Sequence, residues 1–238
     1  MNRTGCVLLA VTALVVARQG SATTFSLTGT LAAPQDYATF TLDLPFSGGF
    51  TLQTYGFGGG TNLAAELISR GGFDPFVGVF EGTGPAATFI DGTSDLLSNY
   101  TSEPAACPPA GRVTIGSVTG QCGDVALSFT GLTAGLYTIV LSDALYYPAA
   151  AGEFPPAYLG DGFDDLTGGS PGFQTCYDSA DCNTDTGNWA LDINVAEDGA
   201  TLITPEPASF GLTGLGLLCA ACVAFRLRSI QTNNPERT

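Results

Sequence analysis

Asn188-Trp189-Ala190-Leu191-Asp192-Ile193-Asn194-Val195 sets the fold class: large apolar side chains recur at every second position from Trp189 to Val195, with Asp192 and Asn194 between them. Successive side chains of a strand point to opposite faces, so a period of two buries one face and leaves the other polar. The same period marks Phe25/Leu27, Phe40/Leu42/Leu44, Phe50/Leu52, Val125/Leu127/Phe129 and Tyr137/Ile139/Leu141, and further strands are expected at Phe76 to Phe80 and Thr201 to Ile203. Ser47-Gly48-Gly49 and Asp198-Gly199 supply turns between them. Only Leu63 to Ser69 has a helical look, and so short a segment cannot hold a helix alone. About eight short strands with glycine-rich connections predict an all-β, antiparallel β-sandwich. Trp189, the only tryptophan, reads as a core anchor. The stretch from Asp143 to Asn188 is long and aperiodic, which in a compact domain means a loop that is functional or pinned.

Composition narrows the chemistry. The chain has 238 residues, 22 Asp+Glu against 7 basic residues, all of them arginine, and no histidine, for a net charge of −15. Histidine-based triads, histidine zinc sites and lysine Schiff bases are excluded. An acidic surface repels phosphate backbones, so no nucleic-acid partner is expected. Gly168-Gly169-Ser170-Pro171-Gly172 has the nucleophile-elbow spacing but no histidine to serve it, and Asp185-Thr186-Gly187 stands alone where an aspartic protease needs two such triplets. No catalytic residue is assigned, and the protein reads as non-enzymatic.

The two ends read as addresses. Arg3, the apolar stretch Cys6 to Ala17 and the small residues Gly20-Ser21-Ala22 form a secretory signal peptide over Met1–Ala22. Its apolar run of about a dozen residues is too short for a bilayer that needs roughly 20. At the other end Pro205-Glu206-Pro207 precedes the uncharged stretch Ala208 to Phe225, a transmembrane helix candidate, and then Arg226-Leu227-Arg228, whose charges hold that end in the cytoplasm. Ser229–Thr238 is left as a cytoplasmic tail. This tripartite tail over Pro205–Arg228 resembles the PEP-CTERM sorting signal of Gram-negative bacteria. The resemblance implies recognition by an exosortase at Pro205, Glu206, Pro207, Arg226 and Arg228, with transient residence in the inner membrane. Cleavage and delivery to the cell surface or an extracellular polysaccharide matrix would follow. The alternative is a plain membrane anchor.

Thr23–Thr204 remains as one domain, in which only Arg70 and Arg112 are basic, so the acidity belongs to the exported part. Its cysteines are Cys107, Cys122, Cys176 and Cys182. An even number in an oxidising compartment reads as two disulfides with three possible pairings. Cys107–Cys122 and Cys176–Cys182 are favoured because each brackets a loop rich in Pro/Gly or Asp/Asn. The alternative, a four-sulfur metal site, does not match structural zinc spacing.

Several blocks carry a second resemblance. Tyr55-Gly56-Phe57-Gly58-Gly59-Gly60-Thr61-Asn62, Gly71-Gly72-Phe73-Asp74-Pro75, Leu132-Thr133-Ala134-Gly135-Leu136-Tyr137-Thr138, Asp161-Gly162-Phe163 and Gly187-Asn188-Trp189-Ala190-Leu191-Asp192-Ile193 occur in that order between Asp36 and Val195. Together they are similar to PEP-CTERM proteins with a domain like the bacterial pre-peptidase C-terminal domain. That implies a jelly-roll-like β-sandwich, flanked here by the N-terminal signal helix and the C-terminal transmembrane helix. Where members carry an Asn-Asp-Asp-Gly cluster, this chain has Ile90-Asp91-Gly92.

Calcium is the cofactor the acids favour, because hard cations take carboxylate oxygens from flexible acidic loops. Asp161, Asp164, Asp165, Asp178, Asp181 and Asp185 are the candidate ligands; the alternative is that they only solvate the loop. Sequence alone thus points to a secreted protein, handled by signal peptidase and exosortase, with a structural or adhesive role. The other reading is an accessory module that binds polysaccharide or calcium, with Tyr146, Tyr147 and Tyr158 as sugar-stacking candidates.

Overall fold

The computed structural model describes residues 22–94, 112–115, 118–152, 156–176 and 182–204. The stretches expected to form the N-terminal signal helix and the C-terminal transmembrane helix lie outside them, as do the rest of the sorting tail, Cys107, Asp178 and Asp181. The strands run, in chain order, β1 (Thr23–Thr30), β2 (Tyr37–Leu44), β3 (Gly48–Thr54), β4 (Gly60–Thr61), β5 (Leu67–Ile68), β6 (Pro75–Glu81) and β7 (Thr88–Thr93). They continue as β8 (Arg112–Ile115), β9 (Val118–Cys122), β10 (Ala126–Leu132), β11 (Gly135–Asp143), β12 (Tyr146–Pro148), β13 (Phe163–Asp165), β14 (Gln174–Cys176), β15 (Cys182–Thr184), β16 (Asn188–Val195) and β17 (Thr201–Ile203). Nine of them build two antiparallel sheets, ordered β1-β16-β3-β10 and β17-β2-β11-β6-β7. Every strand expected from alternation is present.

The alternation works as its period requires. Phe40, Leu42 and Leu44 of one sheet and Phe50, Leu52, Leu191, Ile193 and Val195 of the other share a single core with Val77, Val79, Tyr137, Ile139 and Leu141. Tyr137 meets the cost of burying a hydroxyl by donating to the Thr133 carbonyl at 2.7 Å. Trp189 packs against this core, with its ring edge-on to Phe40 at 5.6 Å.

In β11 the run Ile139-Val140-Leu141 has no polar partner positions, because both faces of the strand are covered. The second face is closed by a smaller cluster of Phe80, Val140, Ala150 and Ala157, two of which come from the segment after Asp143.

The described residues of that segment are pinned rather than loose. They form the hairpins β12/β13 and β14/β15 and two short 3-10 turns, Ala149–Gly152 and Leu159–Asp161. The Cys176–Cys182 disulfide closes the second hairpin across directly paired residues.

Leu63 to Ser69 is not helical. Asn62 accepts the Glu66 N–H on its side-chain oxygen at 2.8 Å, and its own N–H reaches the Glu66 carbonyl, closing a tight loop between β4 and β5. With Leu63 58% and Leu67 83% exposed, there was no apolar face for a helix to bury.

Candidate functional site: a cleft over buried carboxylates

Three backbone segments converge beside the β14/β15 hairpin. Gly71 and Gly72 donate to the Phe57 and Gly56 carbonyls, Thr186 donates to the Gly71 carbonyl through both its N–H and its hydroxyl, and Gly72 bridges Thr186 in parallel. Asp124 fixes the first segment: its carboxylate accepts the Thr54 hydroxyl and the N–H groups of Phe57 and Gly58. The crossing leaves a cleft of about 430 Å³, with Phe57, Arg70 and Gly71 on one wall and Cys182 to Asp185 on the other.

The acids in and behind the cleft wall are electrostatically unusual. Asp185 is held above the usual carboxylate range by burial, against the opposing effect of hydrogen bonds from Thr175. Its Oδ2 has no hydrogen-bond partner among the described residues. Asp143, 4% exposed, ends β11 in phase with the core positions Tyr137, Ile139 and Leu141. Burial, and then the charge of Asp185, push its carboxyl from 3.8 up to about 6, although the Leu145 N–H donates to it at 2.8 Å. Asp74 is buried in the same corner, where its carbonyl accepts the Ala144 N–H. Tyr55 is pushed up to about 12, chiefly by burial and then by its hydrogen bond to Asp192.

Chemically the cleft lining combines the exposed Arg70 with the partly buried Asp185 carboxylate, which suits binding of a polar ligand. Both cysteines of the hairpin are oxidised, and the chain has neither histidine nor lysine to activate the Thr184 hydroxyl. Asp143 does not line the cleft, so its raised pKa concerns stability. Its folded-state pKa lies above the unfolded value, so the folded protein binds the extra proton. That stabilisation is fully present below about pH 4 and is lost as pH rises through about 6. Asp143→Asn, which keeps an oxygen for Leu145, is therefore expected to stabilise the protein by about 2 kcal/mol at pH 7.5 and to bring no gain near pH 4. Urea unfolding at the two pH values checks this.

No protein-family model matches the chain, and no curated protein matches it. The candidate ligands must therefore be judged on their own contacts. Asp161 turns back to accept the Tyr158 N–H at 2.6 Å, and Asp165 accepts both the N–H and the hydroxyl of Thr167. Asp164 sits beside Asp165 on β13, whereas Asp185 lies in the cleft wall. Among the described residues no three His, Cys, Asp or Glu side chains gather into a metal-binding group. Cys107 falls outside those residues, and the Cys107–Cys122 pairing with it.

The tyrosines divide similarly. Tyr146 stacks on Phe163, which stacks on Tyr37, and Tyr147 packs against Phe76, so these rings staple the long segment to the sheet. Tyr158 is 38% exposed. Asp143 and Asp124 belong to no motif in the sequence. The first carried a signal, since residue 143 continues the buried parity of β11.

Proposed function

We propose that this is a non-enzymatic, exported protein that an exosortase sorts to the cell surface or the extracellular matrix, where its jelly-roll-like sandwich plays a structural or adhesive part. The observation that carries this reading is the tail itself, Pro205-Glu206-Pro207, the uncharged stretch Ala208 to Phe225 and Arg226-Leu227-Arg228. Two features of the fold support it. The sandwich strands occupy Thr23 to Ile203, the part that processing at both ends would release. A disulfide, Cys176–Cys182, suits an oxidising destination.

The full chain, produced in a Gram-negative host with and without an exosortase, tests this by intact mass. Loss of Met1–Ala22 in both hosts, and a cut near Pro205 to Pro207 only where the enzyme is present, is the expected result. A tail that stays uncut in both would leave a plain anchor and overturn the sorting.

A further inference from the structure

The two sheets have four edges, and three are guarded. β17 is only three residues long. β7 is bulged against β6, and its outer side is met by the chain at Ala157 and Tyr158, the Phe89 N–H donating to the Ala157 carbonyl at 2.9 Å. β10 breaks register between Phe129 and Leu132, where Gly131 takes a φ of 71°. Short length, bulges and covering are the usual defences against unwanted strand pairing.

Among the described residues β1 has none of these. Thr23-Thr24-Phe25-Ser26-Leu27-Thr28-Gly29-Thr30 runs for eight residues, pairs without a bulge along its whole length with β16, and contains neither a charge nor a proline. Every second N–H and C=O of an edge strand points away from its sheet, and among the described residues no backbone hydrogen bond reaches β1 except from β16. On one face Thr24, Ser26 and Thr30 bond to Asn194, Asp192 and Asn188 of β16. Phe25 and Leu27, on the other, are only half-buried against the core.

We propose that β1 is a self-association edge, along which a second copy of this chain pairs antiparallel about a two-fold axis at Ser26. The sequence favours this occupant because it is self-complementary in that register. Ser26 meets Ser26, and Thr24 meets Thr28 on the polar face. Phe25 meets Leu27, twice, on the core face, completing the burial that each lacks alone. A shift of one residue would set polar against apolar side chains. The pairing joins the two four-stranded sheets into one continuous sheet and leaves no further free edge at that side, so the assembly closes as a dimer. The acidity of the protein opposes association at low ionic strength. β1 itself contributes no charge to that repulsion, which at physiological salt is screened over about 8 Å.

Cysteine cross-linking of the full chain in an exporting host, under copper-phenanthroline oxidation, reads the register. Ser26→Cys is expected to give a disulfide-linked dimer on a non-reducing gel, because facing residues of antiparallel strands lie within disulfide reach. Thr28→Cys, although more exposed, is expected to give none, since the two copies of residue 28 would lie about 13 Å apart. Ser26→Lys, which keeps Asp192 as a partner within its own copy, should abolish the dimer seen for the parent by sedimentation while its far-UV circular dichroism stays that of the folded parent, its unfolding midpoint falling by no more than the lost association accounts for. A monomeric parent, a cross-link at 28 and not at 26, or a dimer indifferent to Ser26→Lys would each overturn the proposal.

Discussion

Asp124→Ala is expected to destabilise the protein by about 3 kcal/mol, the cost of stranding several buried donors at once. Asp124 is 2% exposed, and its carboxylate accepts the Thr54 hydroxyl at 2.9 Å, the Phe57 N–H at 3.3 Å and the Gly58 N–H at 2.7 Å. The Thr54 oxygen in turn accepts the Val125 N–H, so one carboxylate ties β3 to the start of β10 and to the loop that walls the cleft. Alanine leaves the buried Thr54 hydroxyl and Phe57 N–H, and the partly buried Gly58 N–H, without their acceptor. Asp124→Asn should cost about half as much, because its oxygen can still serve Thr54 and Phe57 while its NH₂ faces the Gly58 N–H. Equilibrium urea unfolding measures both. Equal losses for the two variants would mean that the negative charge, rather than the number of acceptors, is what the site requires.

Gly72→Ala should be comparably damaging, by about 3 kcal/mol, for a steric reason. A Cβ at Gly72 would run into the Asn188 carbonyl and lie 2.8 Å from the Gly56 oxygen. All these obstacles are backbone, which cannot rotate away as a side-chain tip could. Either the bridge between Gly72 and Thr186 parts or the Gly72 to Gly56 hydrogen bond breaks, and both hold the cleft walls together. Gly71→Ala is the informative neighbour. Its Cβ would meet nothing within 4 Å, but its φ of 99° strains any residue other than glycine. It should therefore cost less, about 1 to 2 kcal/mol, through backbone strain alone.

The sandwich strands were legible because a sheet with one face on a core writes a period of two into its sequence, as β2, β3 and β16 do. β7 was not. Thr88-Phe89-Ile90-Asp91-Gly92-Thr93 places apolar residues side by side, and the bulge opposite Val79 and Phe80 absorbs the irregularity. The Cys176–Cys182 pair could be expected from its short, polar enclosed loop. The cleft could not be read, because it depends on the crossing of segments far apart in the chain. Asp124 and Thr54 are 70 residues apart, and nothing local to either announces the other. The carboxylates that stood out in the sequence, Asp161 and Asp165, serve their own turns. Asp143 and Asp124, both buried, were masked by being single acids next to apolar strands.

Trp189 ends one step from the edge at which β1 stands. Its ring occupies the space above Gly29, where a Cβ would run into it, and its indole N–H is buried without an acceptor among the described residues. The indole is therefore a built-in optical reporter, whose emission is expected to shift to the red if β1 is displaced, registering events at that margin of the sheet without any label. Because the chain contains a single tryptophan, the signal would come from that margin alone.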